Sequence, residues 1–126
     1  MIDINKQVSF WRQGASEDLE VARELILNKR ARHGLFFLHL SLEKLIKAHV
    51  CKNTNDIAPR IHNLIRLSEA ASLFFEQRFT DLLAELNAFN IEGRYPDSTI
   101  VPVSQGEAND YLKRAEEVFT WLMNQL

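Results

Sequence analysis

Cysteine occurs once in the 126-residue chain, at Cys51, so no internal disulfide can form and no paired thiols offer a zinc site. Three Pro and four Gly are too few for linker-like or low-complexity structure, and no internal repeat is present. Neither sign of charge dominates. Fifteen Lys and Arg against 17 Asp and Glu leave a formal net charge of −2, which gives no global attraction to nucleic acid or to an anionic membrane. Any RNA or nucleotide site therefore has to be local. No run reaches the roughly 20 apolar residues of a membrane span. The segment MIDINKQVSFW also lacks an apolar signal core, so a cytoplasmic protein without membrane contact is expected. What is present, 46% hydrophobic and 25% charged residues, describes a globular chain whose length suits a single domain over 1–126.

Apolar spacing predicts helices throughout and no β alternation. The first helix is expected over 4–28, capped by Asp3, with Val8, Trp11, Ala15, Leu19, Ala22 and Ile26 recurring at three- and four-residue steps. Asn28-Lys29-Arg30 is a short break, which implies an antiparallel hairpin with a second helix over 31–52. A third helix is expected over 59–70, with Pro59 in its first turn, and a fourth over 74–89. Ser104 with Glu107 makes a capping-box pattern for the last helix, whose inward stripe includes Leu112, Ala115, Val118, Phe119 and Leu122. The fold class is all-α, an up-and-down bundle of four to five helices.

The segment RHGLFFLHLSLEKLIKAH, residues 32–49, is too apolar for a surface helix and yet carries ionisable groups in register. At 100° per residue, Arg32, His39 and Glu43 fall within about 40° of one another, with Lys47 at the edge of the stripe. Buried there without partners, these charges would cost several kcal/mol, so another helix, a second subunit or a ligand has to meet them. Arg32 and His39 offer what metal-free RNA cleavage needs. An imidazole moves the proton at the 2′-hydroxyl or the leaving oxygen, and a guanidinium holds the phosphate. One His per chain is a thin acid–base set, which two chains meeting about a two-fold axis would complete. The alternative is that His39 is a satisfied core histidine and Arg32 caps a neighbouring helix. Glu43 and Lys47 form an i, i+4 pair that either orients His39 or sets helix register.

Arg60 and His62, following Pro59, are candidates for an anion site at the start of the third helix, or for capping and packing there. In FNIEGRYPD, Gly93 suits a left-handed helix end and Pro96 a stop. Arg94 could clamp a phosphate while Tyr95 stacks on a base, or Arg94 could pair with Asp97 across the turn. Trp11 and Trp121 read as core or dimer contacts. No HxxH or HxxxH spacing occurs, so neither a metal nor any other cofactor is indicated.

Three segments together, FFLHLSLEKLIKAHV, APRIHNLIRLSE and LNAFNIEGRYPD, resemble in order and spacing the HEPN-domain proteins, specifically the small stand-alone prokaryotic members. The resemblance runs from about Phe10 to Leu122. It implies a helical bundle that forms a homodimer and is paired with a minimal nucleotidyltransferase, in some cases as a ribonuclease toxin with its antitoxin. Ribonuclease members carry an R-x4–6-H motif with a polar residue after the Arg. Arg32-His33-x5-His39 satisfies that wording, and catalytic roles for Arg32, His39 and Glu43 follow by resemblance. Two features depart from the ribonuclease pattern: the motif opens the second helix instead of lying late in the chain, and Ser41 stands where a modifiable tyrosine is sometimes found. Other members of the family bind nucleotides or nucleic acid without catalysis, and for such a module Lys47, Arg60, His62, Arg94 and Tyr95 are the contact candidates.

Overall fold

Asp3 starts the first helix by accepting a hydrogen bond from the Lys6 amide at 3.1 Å, and α1 runs Ile4–Leu27. It ends without glycine. Lys29 adopts φ 64°, and the Arg30 amide donates to the Leu25 carbonyl at 2.8 Å while the Lys29 amide donates to Ile26. This is a Schellman closure with Lys in the left-handed position, a choice that costs about 1 kcal/mol relative to Gly. The chain then reverses into α2, Ala31–Thr54, which ends at Asn55 in the left-handed region. The computed structural model describes residues 2–92 and 102–126, which hold six helices and no strand.

α1 and α2 form the most extensive pairing, as the short break predicts, and α2 contacts all five other helices. That central position explains why its sequence is apolar on nearly every face. Leu35, Leu38, Leu42, Leu45 and Ile46 are fully buried there. Against them lie Ala15, Ala22 and Ile26 of α1 and Ala108, Ala115, Val118 and Leu122 of the last helix.

The third and fourth helices are each shorter than the sequence expectation. α3 is Leu64–Ala70, so Pro59 does not open it. Asn63 is the stronger start signal, because its side chain accepts from the Ile65 and Arg66 amides, both at 3.0 Å. α4 is Gln77–Leu86, shorter than 74–89 at both ends, and a four-residue α5, Phe89–Glu92, follows a turn at Asn87 and Ala88. Phe74, which the helical pattern would place in α4, lies before it and is 89% exposed. α6, Gln105–Gln125, opens with the predicted capping box in both directions: Ser104 accepts from the Glu107 amide and Glu107 accepts from the Ser104 amide.

Polar ties fasten the bundle. Arg23 on α1 meets Glu116 on α6 at 2.7 Å, Arg114 on α6 meets Glu85 on α4 at 2.8 Å, and Lys44 on α2 meets Asp18 on α1 at 2.7 Å. Among the described residues no helix is long and apolar enough to cross a membrane.

Candidate functional site

The helical register of α2 puts a charged cluster inside the protein. Glu43, 4% exposed, is its centre. Its Oε2 accepts from the Lys47 ammonium at 3.0 Å, one turn on, and lies 3.1 Å from Nδ1 of His62 on the α2–α3 connection. Lys47 is itself 5% exposed, and its Nζ sits 5.2 Å from the centre of the Trp11 ring on α1. One carboxylate therefore links α2 to the α2–α3 connection, and through Lys47 to α1.

His39 lies one turn before Glu43 and is 1% exposed. Its Nδ1 is 3.7 Å from Glu43 Oε1, too long for a hydrogen bond, and neither ring nitrogen has a partner of good geometry. Burial holds this imidazole below its ordinary pKa, and the nearby Glu43 carboxylate, the Asn87 side chain and the His62 backbone offset that effect only in part. The ring is neutral near pH 7. Arg32 stands apart, exposed on the first turn of α2, and no ion pair or hydrogen bond engages its side chain among the described residues. Two helical turns, about 10 Å of rise, separate it from His39. The structure thus gathers His39, Glu43, Lys47 and His62, and leaves Arg32 outside that group.

The expected anion site at the start of the third helix is not formed in the manner the sequence suggested. Arg60 and His62 precede α3 and do not sit in its first turn. The amides of that turn are already engaged: Leu64 donates to the Asn87 side chain at 2.9 Å, and Ile65 and Arg66 donate to Asn63. Arg60 is exposed and the His62 side chain is half-exposed. Arg94 and Tyr95, with the turn residues Gly93, Pro96 and Asp97, lie outside the described residues. Among the described residues no three His, Cys, Asp or Glu side chains converge as metal ligands would.

Two contributors carried no sequence signal. Asn87 serves both the α3 start and the His39 surroundings from the far end of α4, a long-range pairing that local spacing cannot show. His49 is buried one helical face away and its Nε2–H donates to the Leu122 carbonyl at 2.9 Å, tying α2 to α6. Burial also pushes the Cys51 thiol up, which makes it an inert core residue.

The two buried imidazoles make stability pH-dependent. Burial lowers the folded-state pKa of both His39 and His49, whereas in the unfolded chain each takes a proton near pH 6.5. Their contribution is complete above about pH 6.5 and declines as pH falls toward the folded-state values, because only the unfolded chain binds the protons there. The expected slope is up to about 1.4 kcal/mol per pH unit for each ring. Urea midpoints measured from about pH 7.5 down to about pH 5.5 should drop, and the drop should shrink in His49→Gln. A flat profile would mean that the rings are not buried in neutral form.

Comparisons with known proteins agree with this architecture. TT1696 from Thermus thermophilus is similar in structure, with a TM-score of 0.80 at 17% identity, over 95% of this chain and 98% of that one. ST0689, an archaeal HEPN homologue, has a TM-score of 0.72 at 21% identity, over 94% of this chain and 96% of that one. At these identities the likeness concerns the fold. No curated protein matches the chain. The HEPN domain matches residues 8–126, nearly the whole length, and the chain belongs to the HEPN domain family.

Proposed function

We propose that this HEPN protein is a binding module and not a nuclease: it engages a nucleotide or RNA and docks a nucleotidyltransferase, working as a homodimer. The observation that carries this reading is the burial of His39. At 1% exposure its nitrogens cannot meet a ribose hydroxyl unless the helices part, and the guanidinium that would hold the phosphate stands two turns away on the surface. Glu43 does not orient the ring either, since its hydrogen bonds go to Lys47 and His62. The cluster reads as a support that holds the α2–α3 connection in place. The transferase partner, in a toxin–antitoxin-like pair, comes from the resemblance to small stand-alone HEPN proteins.

The rival is a metal-independent ribonuclease with Arg32 on the phosphate and His39 as acid–base group. Incubating the purified protein with tRNA and mixed RNA in EDTA separates the two. The expected outcome is intact RNA, with a gel shift or a nucleotide titration reporting binding. Cleavage by the wild type that disappears in both Arg32→Ala and His39→Ala would establish the nuclease instead.

A further inference from the structure

α3 ends in a turn that presents an aromatic side chain to solvent. Ser72 takes the left-handed φ of 55°, its amide donates to the Glu69 carbonyl at 3.0 Å, and the Leu73 amide donates to the Ser68 carbonyl at 3.0 Å. These bonds make a Schellman closure, and the Asn53 side chain of α2 pins the same turn by donating to the Ala71 carbonyl at 2.6 Å. In the irregular segment that follows, Leu73 and Phe75 pack against the core while Phe74 between them is 89% exposed, the most of any large hydrophobic among the described residues. Beside it a groove of about 650 Å³ runs between α4 and α6, lined by Phe79 and Trp121. Phe75 joins the two features, its ring centre lying 5.3 Å from that of Trp121 and 6.4 Å from that of Phe79. We propose that this face joins two copies of the chain about a two-fold axis, the Phe74 ring of each entering the α4–α6 groove of the other. The proposal rests on the homodimer reading and names the face that the dimer uses.

Shape and charge both select a second copy as the occupant. A knob and a groove that adjoin on one face are self-complementary: a two-fold axis passing between them seats both at once, and the assembly closes at two. Phe74 does not fill the groove of its own chain, because the inward packing of Leu73 and Phe75 holds the backbone on either side of it. Most charges on the groove rim are matched within the chain. Arg78 meets Glu76 at 2.9 Å and also pairs with Glu117, and Glu116 meets Arg23 at 2.7 Å. Two exposed charges form no ion pair among the described residues: Lys113 on the rim, and Glu69 at the base of the turn that carries Phe74. The knob thus brings an unmatched acid and the groove an unmatched base, and the two-fold brings that pair together twice. The Arg78 guanidinium, 4.6 Å from the Phe79 ring centre, fixes one wall of the groove in advance. A knob held by its turn and a groove walled by an ion-paired side chain lose little freedom on docking, and a buried aromatic at the centre of an interface carries much of its affinity.

Analytical ultracentrifugation of the full chain over a range of concentrations tests this. The expected result is a reversible dimer for the wild type, with a dissociation constant raised by about tenfold or more in Phe74→Glu. The changed side chain is exposed, so the core is untouched, and circular dichroism checks that each variant folds. Glu69→Lys and Lys113→Glu should each weaken the dimer, and the two changes together should restore it, since each pair then carries opposite signs again. A wild-type dimer that Phe74→Glu leaves intact overturns this face while the homodimer stands on another. A double charge exchange no tighter than either single variant overturns the two-fold pairing proposed here. Wild type that stays monomeric at every concentration overturns the homodimer reading and this face together.

Discussion

Glu43→Ala should lower the unfolding free energy by about 3–5 kcal/mol, more than any exposed substitution in this protein. Three contributions add. The Lys47 ammonium, 5% exposed, loses the one carboxylate that reaches it among the described residues and is left as an unpaired charge beside the Trp11 ring. The α2–α3 connection loses the His62 contact that anchors it to α2. A buried side chain is also replaced by a smaller one, leaving a void. The discriminating companion is Glu43→Met combined with Lys47→Met. Removing both charges at once and keeping the volume should cost far less than the single change, because the destabilisation comes from stranding a charge and not from losing an attraction. Urea unfolding of the three proteins checks this. A single-variant loss under about 1 kcal/mol would mean that Lys47 and Glu43 are screened by water as surface pairs are.

The architecture was largely legible in the chain because helices announce themselves locally. The 3.6-residue stripes of α1 and α6, the Asp3 cap and the Ser104–Glu107 box all depend on neighbours within four positions, and each appears where the pattern put it. The register of α2 likewise brought Glu43 and Lys47 together, and its apolar circumference signalled that they would be buried. Long-range partners are another matter. No spacing rule could show that Glu43 reaches His62 across 19 positions, or that Asn87 reaches the Leu64 amide across 23. The misplaced start of α3 has a local cause: Pro59 tolerates a first helical turn but does not impose one, whereas Asn63 supplies an acceptor for two orphan amides. Angular proximity on a helical wheel also misled at Arg32. It shares a face with His39, but it sits at the end of α2 where the bundle no longer covers that face, so the two residues meet opposite environments. A wheel projects away the axial distance, and here that distance separates surface from core.

The hairpin that carries this cluster has one position where a single methyl should be felt. At Gly34, a Cβ would lie 2.5 Å from Ile26 Cγ1, 3.0 Å from the Ile26 amide nitrogen and 3.1 Å from the Ala22 carbonyl oxygen. Two of these are backbone atoms of α1, so relief requires the helices to separate. Gly34→Ala should gain about 1 kcal/mol of helix propensity and lose more than that to overpacking, for a net loss of about 2 kcal/mol. Gly34→Val should cost about 3 kcal/mol, with melting temperature falling by several degrees for each kcal/mol. Gly14 is the internal control on the same pair of helices. A Cβ there meets the Lys44 side chain, with Cδ at 3.2 Å and Nζ at 3.6 Å, and a flexible chain can step aside. Gly14→Ala should therefore be neutral or stabilising by up to about 1 kcal/mol, since only the propensity gain remains. Opposite signs at the two glycines would show that α1 and α2 touch backbone to backbone at Gly34. A Gly34→Ala protein as stable as the wild type would place the closest approach of the hairpin elsewhere.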